Sequence, residues 1–261
     1  VTADPEGRHV LRYPRGAVVF REGRVLEVGP GPELLRRHAD ARPLNANGRL
    51  VTPGLVDCHT HMIFAGHRAV EMQRRLKGEP YAAIAASGGG IRSTVTATAA
   101  ERDDTLEKSL ANRLERWRAN GCTTVEVKSG YGLTPSGETR LLELMRGAAQ
   151  RVPARLHRTA LLLHALPPEF RERRGEYLAA MIGEVLPDVR TRQLASAVDA
   201  YCDPVAFTVA ECRALLSRAR ELGLDVKLHA EQFERSGGAA LAAGLGACAA
   251  DDLGAASAEE W

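Results

Sequence analysis

The sequence predicts an α/β fold, a (β/α)8 TIM-type barrel preceded by part of a small β domain. Three observations support this class. Apolar, β-branched runs alternate with helical patterns from residue 53 onwards. Such alternation is typical of parallel strands joined by helical crossovers. Several predicted strands end in polar residues, as in barrel enzymes, which favours the barrel over a doubly wound sheet of the same rhythm.

Composition excludes several classes of protein. The 261 residues contain 35 Lys and Arg against 33 Asp and Glu, and 44% are hydrophobic. This balance predicts a globular protein without a nucleic-acid surface, because nucleic-acid affinity depends on clustered cations. No apolar run approaches the roughly 20 residues of a membrane span, so no membrane partner is expected.

The cysteines and the N-terminus suggest a location. The five cysteines are widely spaced and form no CxxC pair, which argues against a disulfide framework and fits the cytoplasm. The chain begins VTADPEGRHV, with neither an initiator Met nor a signal-peptide core. We therefore expect a cytoplasmic protein that lacks its first residues.

Residues 1–52 are predicted to form a partial accessory β domain. Within them AVVF and RVLEVG read as two short strands joined by a tight turn. A stretch rich in Arg, Pro and Asn follows. A new apolar strand then begins after Pro53-Gly54, and residues 53–261 are assigned to an incomplete barrel that forms a metal-dependent hydrolase domain.

Six strands are predicted in the barrel domain, alternating with helices. Helices are expected at Leu106–Trp117, around Thr139–Gln150, around Tyr177–Leu186 and after Thr208, where Glu211 completes a capping box. The predicted strands are LVDCHTH, CTTVEVK, RLHRTALLLHA, AVDAYC, LDVKLHA and ACAADDL. The triple glycine at Gly88–Gly90 lies outside a strand-turn-helix context, so we interpret it as a close-approach loop and not a phosphate cradle.

The strongest local signal is His59-Thr60-His61, at the end of the first barrel strand. Residues two apart in a strand point to the same side, so both imidazoles can share a metal ion. His229 closes a later predicted strand and offers a third imidazole at the same barrel mouth. Nitrogen ligands of this kind suit Zn²⁺ or Fe²⁺, and one divalent ion per subunit is expected.

At these residues the sequence resembles the amidohydrolase superfamily, and within it the imidazolonepropionases. The ordered segments that carry the resemblance are VTPGLVDCHTH, FAGHR, RLKGEPYAAIAASGGGIRSTVTAT, TTVEVKSGYGL, HALPPE, KLHAEQF and GGAALAA. The resemblance implies a barrel of the amidohydrolase kind, a homodimer, and hydrolysis of 4-imidazolone-5-propanoate to N-formimidoyl-L-glutamate in histidine degradation.

The resemblance also implies roles for individual residues. It makes His59, His61 and His229 metal ligands. It makes Arg68 a contact for the substrate's propionate, since a guanidinium fork suits a carboxylate. Three further residues are implied to bind substrate: Tyr131, His164 and Gln232.

Two departures from the family pattern keep alternatives open. The family carries a His where this chain has Asp252, so the proton-transfer group is not identified. The family's aspartate ligand from the eighth strand would lie beyond Trp261, and only six of eight strands are expected here. The alternatives are another cyclic amide or amidine amidohydrolase, and a truncated remnant with impaired catalysis.

Overall fold

The structure is a computed structural model, and it describes residues 1–4, 6–80, 83–84 and 87–260. Part of the segment RLKGEPYAAIAASGGG therefore lies outside the described residues, as does Trp261. The chain divides into two compact units, Val1–Leu55 and Val56–Trp261. Among the described residues, no helix combines the length and the apolar character needed to cross a bilayer.

The first unit contains short antiparallel strands and one helix. Strands β1 (Thr2–Ala3) and β2 (Val10–Leu11) pair with each other, and β3 (Gly16–Arg21) pairs with β4 (Arg24–Pro30). The β3–β4 turn is Glu22-Gly23, both with positive φ, which is the conformation that matches the twist of a two-residue hairpin. The predicted hairpin is therefore present, and helix α1 (Gly31–Arg37) follows it.

The second unit is built on a six-stranded sheet. Its order is β10-β9-β8-β7-β6-β5, and the registers from β6 to β10 are all parallel. The strands are β5 (Leu55–Asp57), β6 (Cys122–Lys128), β7 (Arg155–Leu163), β8 (Ala197–Cys202), β9 (Asp225–Ala230) and β10 (Ala249–Asp251). Because the strands from β6 to β10 are parallel, their carboxyl ends lie at one edge of the sheet. The six predicted strands and the fold class are confirmed.

Helices connect these strands. They are α2 (Ala69–Leu76), α3 (Ile91–Ala100), α4 (Asp103–Ala119), α5 (Pro135–Ala149), α6 (Arg174–Ala180), α7 (Leu186–Thr191), α8 (Val209–Glu221) and α9 (Gly238–Leu245). A 3-10 turn, Pro168–Arg173, precedes α6, and a π-helical turn, Met181–Val185, joins α6 to α7. A further 3-10 turn spans Ala258–Glu260.

The core lies between the sheet and its helices. Leu106, Leu110 and Leu114 recur every four residues on α4 and are 1% exposed or less, as are Val125 and Val127 on β6. Residues four apart share one helix face, so α4 buries a single leucine stripe while most of its charged residues are exposed. These leucines and valines belong to one buried cluster, which holds α4 against β6.

Two helix boundaries differ from the prediction for identifiable reasons. Helix α5 begins at Pro135 and not near Thr139, because the Thr134 hydroxyl accepts a hydrogen bond from the Gly137 N–H and proline is favoured at the first helical position. The helical run predicted around Tyr177–Leu186 extends from Arg174 to Thr191 through the π-helical turn. The Thr208–Glu211 capping box is present at the start of α8.

Candidate metal centre and its surroundings

The His59-Thr60-His61 segment lies just after β5, which ends at Asp57. Thr60 attaches it to the next strand: its hydroxyl donates to the Glu126 carbonyl at 2.5 Å, and its own carbonyl accepts from the Lys128 N–H at 2.9 Å. The predicted strand LVDCHTH was therefore four residues too long at its end, but the backbone beside β6 still places the two imidazoles together.

Three imidazoles converge at the carboxyl ends of β5 and β9. One ring nitrogen from each of His59, His61 and His229 lies within 4.8 Å of the others. The Nε2 atoms of His59 and His61 are 3.3 Å apart. Two nitrogens bound tetrahedrally at 2.0–2.1 Å to one Zn²⁺ would lie about 3.3–3.4 Å apart. The spacing therefore fits two ligands of one divalent ion.

The far side of two of these imidazoles faces an aspartate. Nδ1 of His59 lies 3.0 Å from Asp251 Oδ2, and Nδ1 of His229 lies 3.0 Å from Asp199 Oδ2. A carboxylate this close to Nδ1 favours the tautomer with the proton on Nδ1, which leaves Nε2 with a lone pair for a metal. The Nδ1 atoms of His61 and His229 are both buried without an aligned hydrogen bond to the described residues, so His229 meets Asp199 as a close charge contact.

A buried cluster of charges lies behind the histidines. Lys128 is 0% exposed, and its ammonium contacts Asp199 at 2.7 Å, Asp251 at 3.0 Å and Glu126 at 3.3 Å. Lys227 contacts Glu126 at 2.7 Å. Three carboxylates thus face two ammonium groups, and one negative charge is in excess when the imidazoles are neutral. An excess buried negative charge is costly without a neighbouring cation, so the cluster also favours a metal at the histidines.

The protonation of the imidazoles follows from these neighbours. Burial, together with the nearby His164 and His229, holds the pKa of His61 well below its ordinary value. Burial would also lower the pKa of His229, but the Asp199 carboxylate outweighs that effect and the pKa is raised. His61 is therefore neutral near pH 7, the form in which an imidazole binds a metal.

A second group of side chains lies beside the histidines. Arg68 is half-buried: its Nε donates to Thr94 Oγ1 at 3.0 Å and its Nη2 to the Tyr131 hydroxyl at 3.3 Å. The Tyr131 ring is 5.4 Å from the His164 ring and 5.9 Å from the His61 ring. Arg68, Tyr131 and His164 thus form one wall next to the candidate metal ligands.

The loop that carries Tyr131 is held by a buried carboxylate. Glu138, 0% exposed in the first turn of α5, accepts N–H hydrogen bonds from Gly130, Gly132 and Leu133 at 2.7–2.8 Å. Burial raises its pKa even though these donors and Ser129 lower it. Gly130 has φ 98°, and a Cβ there would come within 2.9 Å of His164 Nδ1. Only glycine allows this close approach.

Gln232, a predicted substrate contact, lies differently from the other predicted site residues, and so does Asp252, the residue that departs from the family pattern. Gln232 is exposed and makes no side-chain hydrogen bond to the described residues. The fixed side chain in this turn is its neighbour Glu231, a buried residue with φ 55° whose carboxylate accepts from the Ser236 and Ala239 N–H groups. Asp252 is exposed, also with positive φ, and follows directly after β10.

Sequence reasoning missed the acidic residues that surround the histidines. Asp199 and Glu126 lie in the apolar strands AVDAYC and TTVEVK and are almost completely buried. A lone acidic residue inside an apolar parallel strand was the available signal, because such strands are buried on both faces. Asp251 could not be separated from Asp252 by sequence, since which of the two faces the cluster depends on the backbone.

Comparison with known proteins identifies close sequence relatives. No family model matches the chain. It is 43% identical over 253 residues, 97% of its length, to an imidazolonepropionase of Ralstonia nicotianae, and 46% identical over 237 residues to one of Pseudomonas putida. The resemblance found in the sequence motifs is confirmed. The chain spans about 60% of the length of these relatives, 62% and 59% respectively.

The fold also has solved counterparts. The structure of a 5-methylcytosine deaminase from Klebsiella pneumoniae, liganded with phosphonocytosine, aligns with 88% of this chain at a TM-score of 0.58. The sequences are 16% identical, and the match covers 53% of the deaminase chain. At this identity the likeness concerns the fold alone.

Proposed function

We propose that this chain is a metal-dependent cyclic-amide hydrolase of the imidazolonepropionase type. Its reaction would open the ring of 4-imidazolone-5-propanoate to give N-formimidoyl-L-glutamate in histidine degradation. The observation that carries the proposal is the convergence of three imidazoles next to the Arg68–Tyr131–His164 wall. The 43–46% identity to imidazolonepropionases supports the same reaction.

His59, His61 and His229 are proposed to hold one divalent ion per subunit, Zn²⁺ or Fe²⁺. The 3.3 Å spacing of two Nε2 atoms and the excess negative charge behind the histidines support this assignment. When bound, such an ion polarises a carbonyl group and lowers the pKa of water to near neutrality.

Arg68 is proposed to bind the substrate's propionate. Its guanidinium is already oriented by Thr94 and Tyr131, so less rotamer entropy is lost when a carboxylate binds. A cyclic substrate without a carboxylate tail would give no role to this half-buried cation. Arg68 therefore favours the imidazolonepropionase reaction over hydrolysis of another cyclic amide or amidine.

Tyr131 and His164 are proposed to contact the substrate ring, with Gln232 as a further binding residue. Nδ1 of His164 lies 2.6 Å from the Gly130 carbonyl oxygen, which can only accept, so Nδ1 carries the proton and Nε2 accepts. Burial lowers the pKa of His164 to about 4, and the ring stays neutral near pH 7. Nε2 can therefore accept a hydrogen bond from a ring N–H.

Ring opening adds water across the ring C–N bond, so a proton must reach the departing nitrogen. Gln232 cannot supply it because an amide does not titrate in this range. Asp252 stands where the family has a His. This difference favours one second candidate, a chain that keeps the fold and the metal site but hydrolyses the substrate poorly.

The remaining proposals concern organisation. We assign residues 1–52 to an accessory β domain and 53–261 to the barrel that carries the hydrolase site. A homodimer in the cytoplasm, with a small-molecule substrate, is the arrangement suggested by the resemblance. Sedimentation analysis of the purified chain tests the dimer.

Metal content and turnover, measured on the same preparation, test the proposed function. Wild-type chain should contain about one Zn or Fe per subunit by elemental analysis and should consume 4-imidazolone-5-propanoate. His61→Ala should lose both. The matched control is His9→Ala, since His9 is exposed in the segment between β1 and β2. Metal without turnover would support the impaired candidate, and neither metal nor turnover would overturn the proposal.

A further inference from the structure

Lys128 is the most enclosed cation in the described part of the chain, and no role in the proposed reaction has been assigned to it. It ends β6 and is 0% exposed. A lysine is almost never fully buried unless it is paired. Its ammonium contacts three carboxylates, those of Glu126, Asp199 and Asp251.

The contacts of Lys128 converge on single oxygen atoms. Its Nζ lies 2.7 Å from Asp199 Oδ2, and that same oxygen is 3.0 Å from His229 Nδ1. Nζ also lies 3.0 Å from Asp251 Oδ2, and that oxygen is 3.0 Å from His59 Nδ1. Each aspartate therefore contacts both the lysine and one imidazole through a single oxygen, and the contact with His229 is a charge contact without an aligned hydrogen bond.

Asp199 makes both its contact with Lys128 and its contact with His229 through Oδ2. Its other oxygen, Oδ1, is buried without a hydrogen-bond partner among the described residues. Without the ammonium, the plane of the Asp199 carboxylate could turn about its final torsion away from the line that joins Lys128 to His229. Lys128 restricts this torsion, because one carboxylate oxygen must lie between the two nitrogens.

We propose that Lys128 is a positioning residue that sets the direction and tautomer of His59 and His229 together, through Asp251 and Asp199. The proposal rests on the proposed function for its importance to metal binding. Its consequence is that two ligands, one on β9 and one in the segment after β5, respond to one side chain. Burial disfavours the charged form of Lys128, but Asp199, Glu126 and Asp251 outweigh it and raise its pKa, so the ammonium stays charged at neutral pH.

Lys227 provides a matched control. It lies in the same buried cluster, 14% exposed by its side chain, and contacts Glu126 at 2.7 Å. Neither Asp199 nor Asp251 is among its ion-pair partners in the described chain. Replacing it by methionine removes one ammonium from the cluster without removing either aspartate–imidazole bridge.

The test compares Lys128→Met and Lys227→Met with the wild-type chain by two readouts. The first is the imidazole tautomer of His59 and His229 in metal-free protein, from ¹H–¹⁵N side-chain spectra. The second is the Zn²⁺ dissociation constant, from competition with a chelator. In Lys128→Met both imidazoles should lose the pure Nδ1–H tautomer, and Zn²⁺ binding should weaken about 10- to 100-fold. Lys227→Met should keep both tautomers and change the constant less than about threefold.

Two further variants keep the test decisive if Lys128→Met does not fold. Asp251→Asn should alter the tautomer of His59 only, and Asp199→Asn that of His229 only. If neither aspartate variant alters its own histidine, the inference is overturned. It is equally overturned if folded Lys128→Met keeps both tautomers and binds Zn²⁺ as tightly as wild type.

The outcomes also separate this inference from the proposed function. If wild type binds no Zn²⁺ but Lys128→Met shifts both tautomers, the positioning role is supported and the proposed metal site is wrong. If wild type binds Zn²⁺ and hydrolyses the substrate while Lys128→Met behaves as Lys227→Met does, only the inference is wrong.

Discussion

The Gly130 carbonyl oxygen lies 2.6 Å from Nδ1 of His164 and thereby joins the loop after β6 to the residue after β7. The contact fixes the orientation of the ring as well as its tautomer. Glu138 holds the Gly130 N–H at 2.8 Å, so one buried carboxylate supports the loop on which both Tyr131 and His164 depend. Three predicted substrate contacts, namely Tyr131, His164 and Arg68, are thus organised before any substrate binds.

The first prediction concerns the acceptor Nε2 of His164. In His164→Asn the amide N–H₂ can still donate to Gly130, but no acceptor reaches the Nε2 position. His164→Gln places its side-chain oxygen near that position. We expect kcat/KM for 4-imidazolone-5-propanoate to fall about 10- to 100-fold in His164→Asn, the cost of one lost hydrogen bond to substrate.

Steady-state kinetics and thermal unfolding check this prediction together. His164→Asn should unfold close to the wild-type temperature, and His164→Gln should retain more activity than His164→Asn. Equal losses in the two variants would show that Nε2 is not the contact.

The second prediction concerns Arg68 and the carboxylate tail. Arg68→Lys keeps the charge but loses the fork that contacts Thr94 and Tyr131. A bidentate guanidinium–carboxylate pair is not reproduced by an ammonium. KM should therefore rise about tenfold or more, with a smaller change in kcat, because the tail lies away from the reacting bond.

Arg75→Lys is the matched control for Arg68→Lys, since Arg75 is exposed on the neighbouring helix α2. Initial rates over a range of substrate concentrations give KM and kcat for both variants. Wild-type KM in Arg68→Lys would contradict the propionate assignment and would favour a substrate without a carboxylate.

The third prediction concerns the stability of the loop at residues 130–133. The Glu138 carboxylate now accepts hydrogen bonds from three backbone N–H groups. In Glu138→Gln, the amide N–H₂ replaces one of the two oxygens and faces a backbone N–H, so two donors meet. One buried donor is then unsatisfied, which costs about 1–3 kcal/mol. Urea unfolding should show a loss of this size.

Glu143→Gln is the control for Glu138→Gln because Glu143 lies on the same helix but pairs with Arg192 at the surface. An exposed ion pair contributes roughly 0–1 kcal/mol. A Glu138→Gln variant no less stable than Glu143→Gln would exclude the role assigned to the buried carboxylate.

The strand order could be predicted from sequence because the hydrophobic periodicity and the glycines that end helices gave the same boundaries in the strand–helix repeats. The helical spacing of Leu106, Leu110 and Leu114 predicts α4, and Gly121 marks its end. The β-branched run Cys122–Lys128 then predicts β6. The histidine pair could also be predicted, since residues two apart share a side in any extended backbone. Its attachment through Thr60 could not, because that depends on the register between β6 and the segment after β5.

The acidic partners could not be predicted for a related reason. Sequence shows Asp199 and Glu126 inside apolar strands, but which cation each one meets depends on contacts between residues far apart in the chain, such as Asp199 with Lys128. The orientation of Gln232 was equally inaccessible. It depends on Glu231, whose positive φ and backbone contacts are set by the turn that starts α9.

The last prediction is a pH dependence that originates at Glu211. Its carboxylate accepts from the Arg174 guanidinium at 2.5 and 2.8 Å and from the Thr208 N–H at 2.8 Å. Arg174 is the main cause, and Thr208 adds to it against the effect of burial, so the pKa of Glu211 is lowered to about 2. The folded state therefore binds this proton less readily than the unfolded state does. The stabilisation is complete above the ordinary glutamate value of about 4.5 and is lost as pH falls towards about 2.

Unfolding free energies measured in urea between pH 6 and pH 2 check this, compared with Glu211→Gln, which cannot titrate. Because solvent partly screens the pair, the wild-type advantage should be roughly 1–2 kcal/mol at neutral pH. It should vanish near the acid end of the series. Glu221→Gln, at the exposed end of the same helix, should keep the wild-type acid dependence. A Glu211→Gln variant that loses stability in acid as steeply as wild type would show that another carboxylate carries the effect.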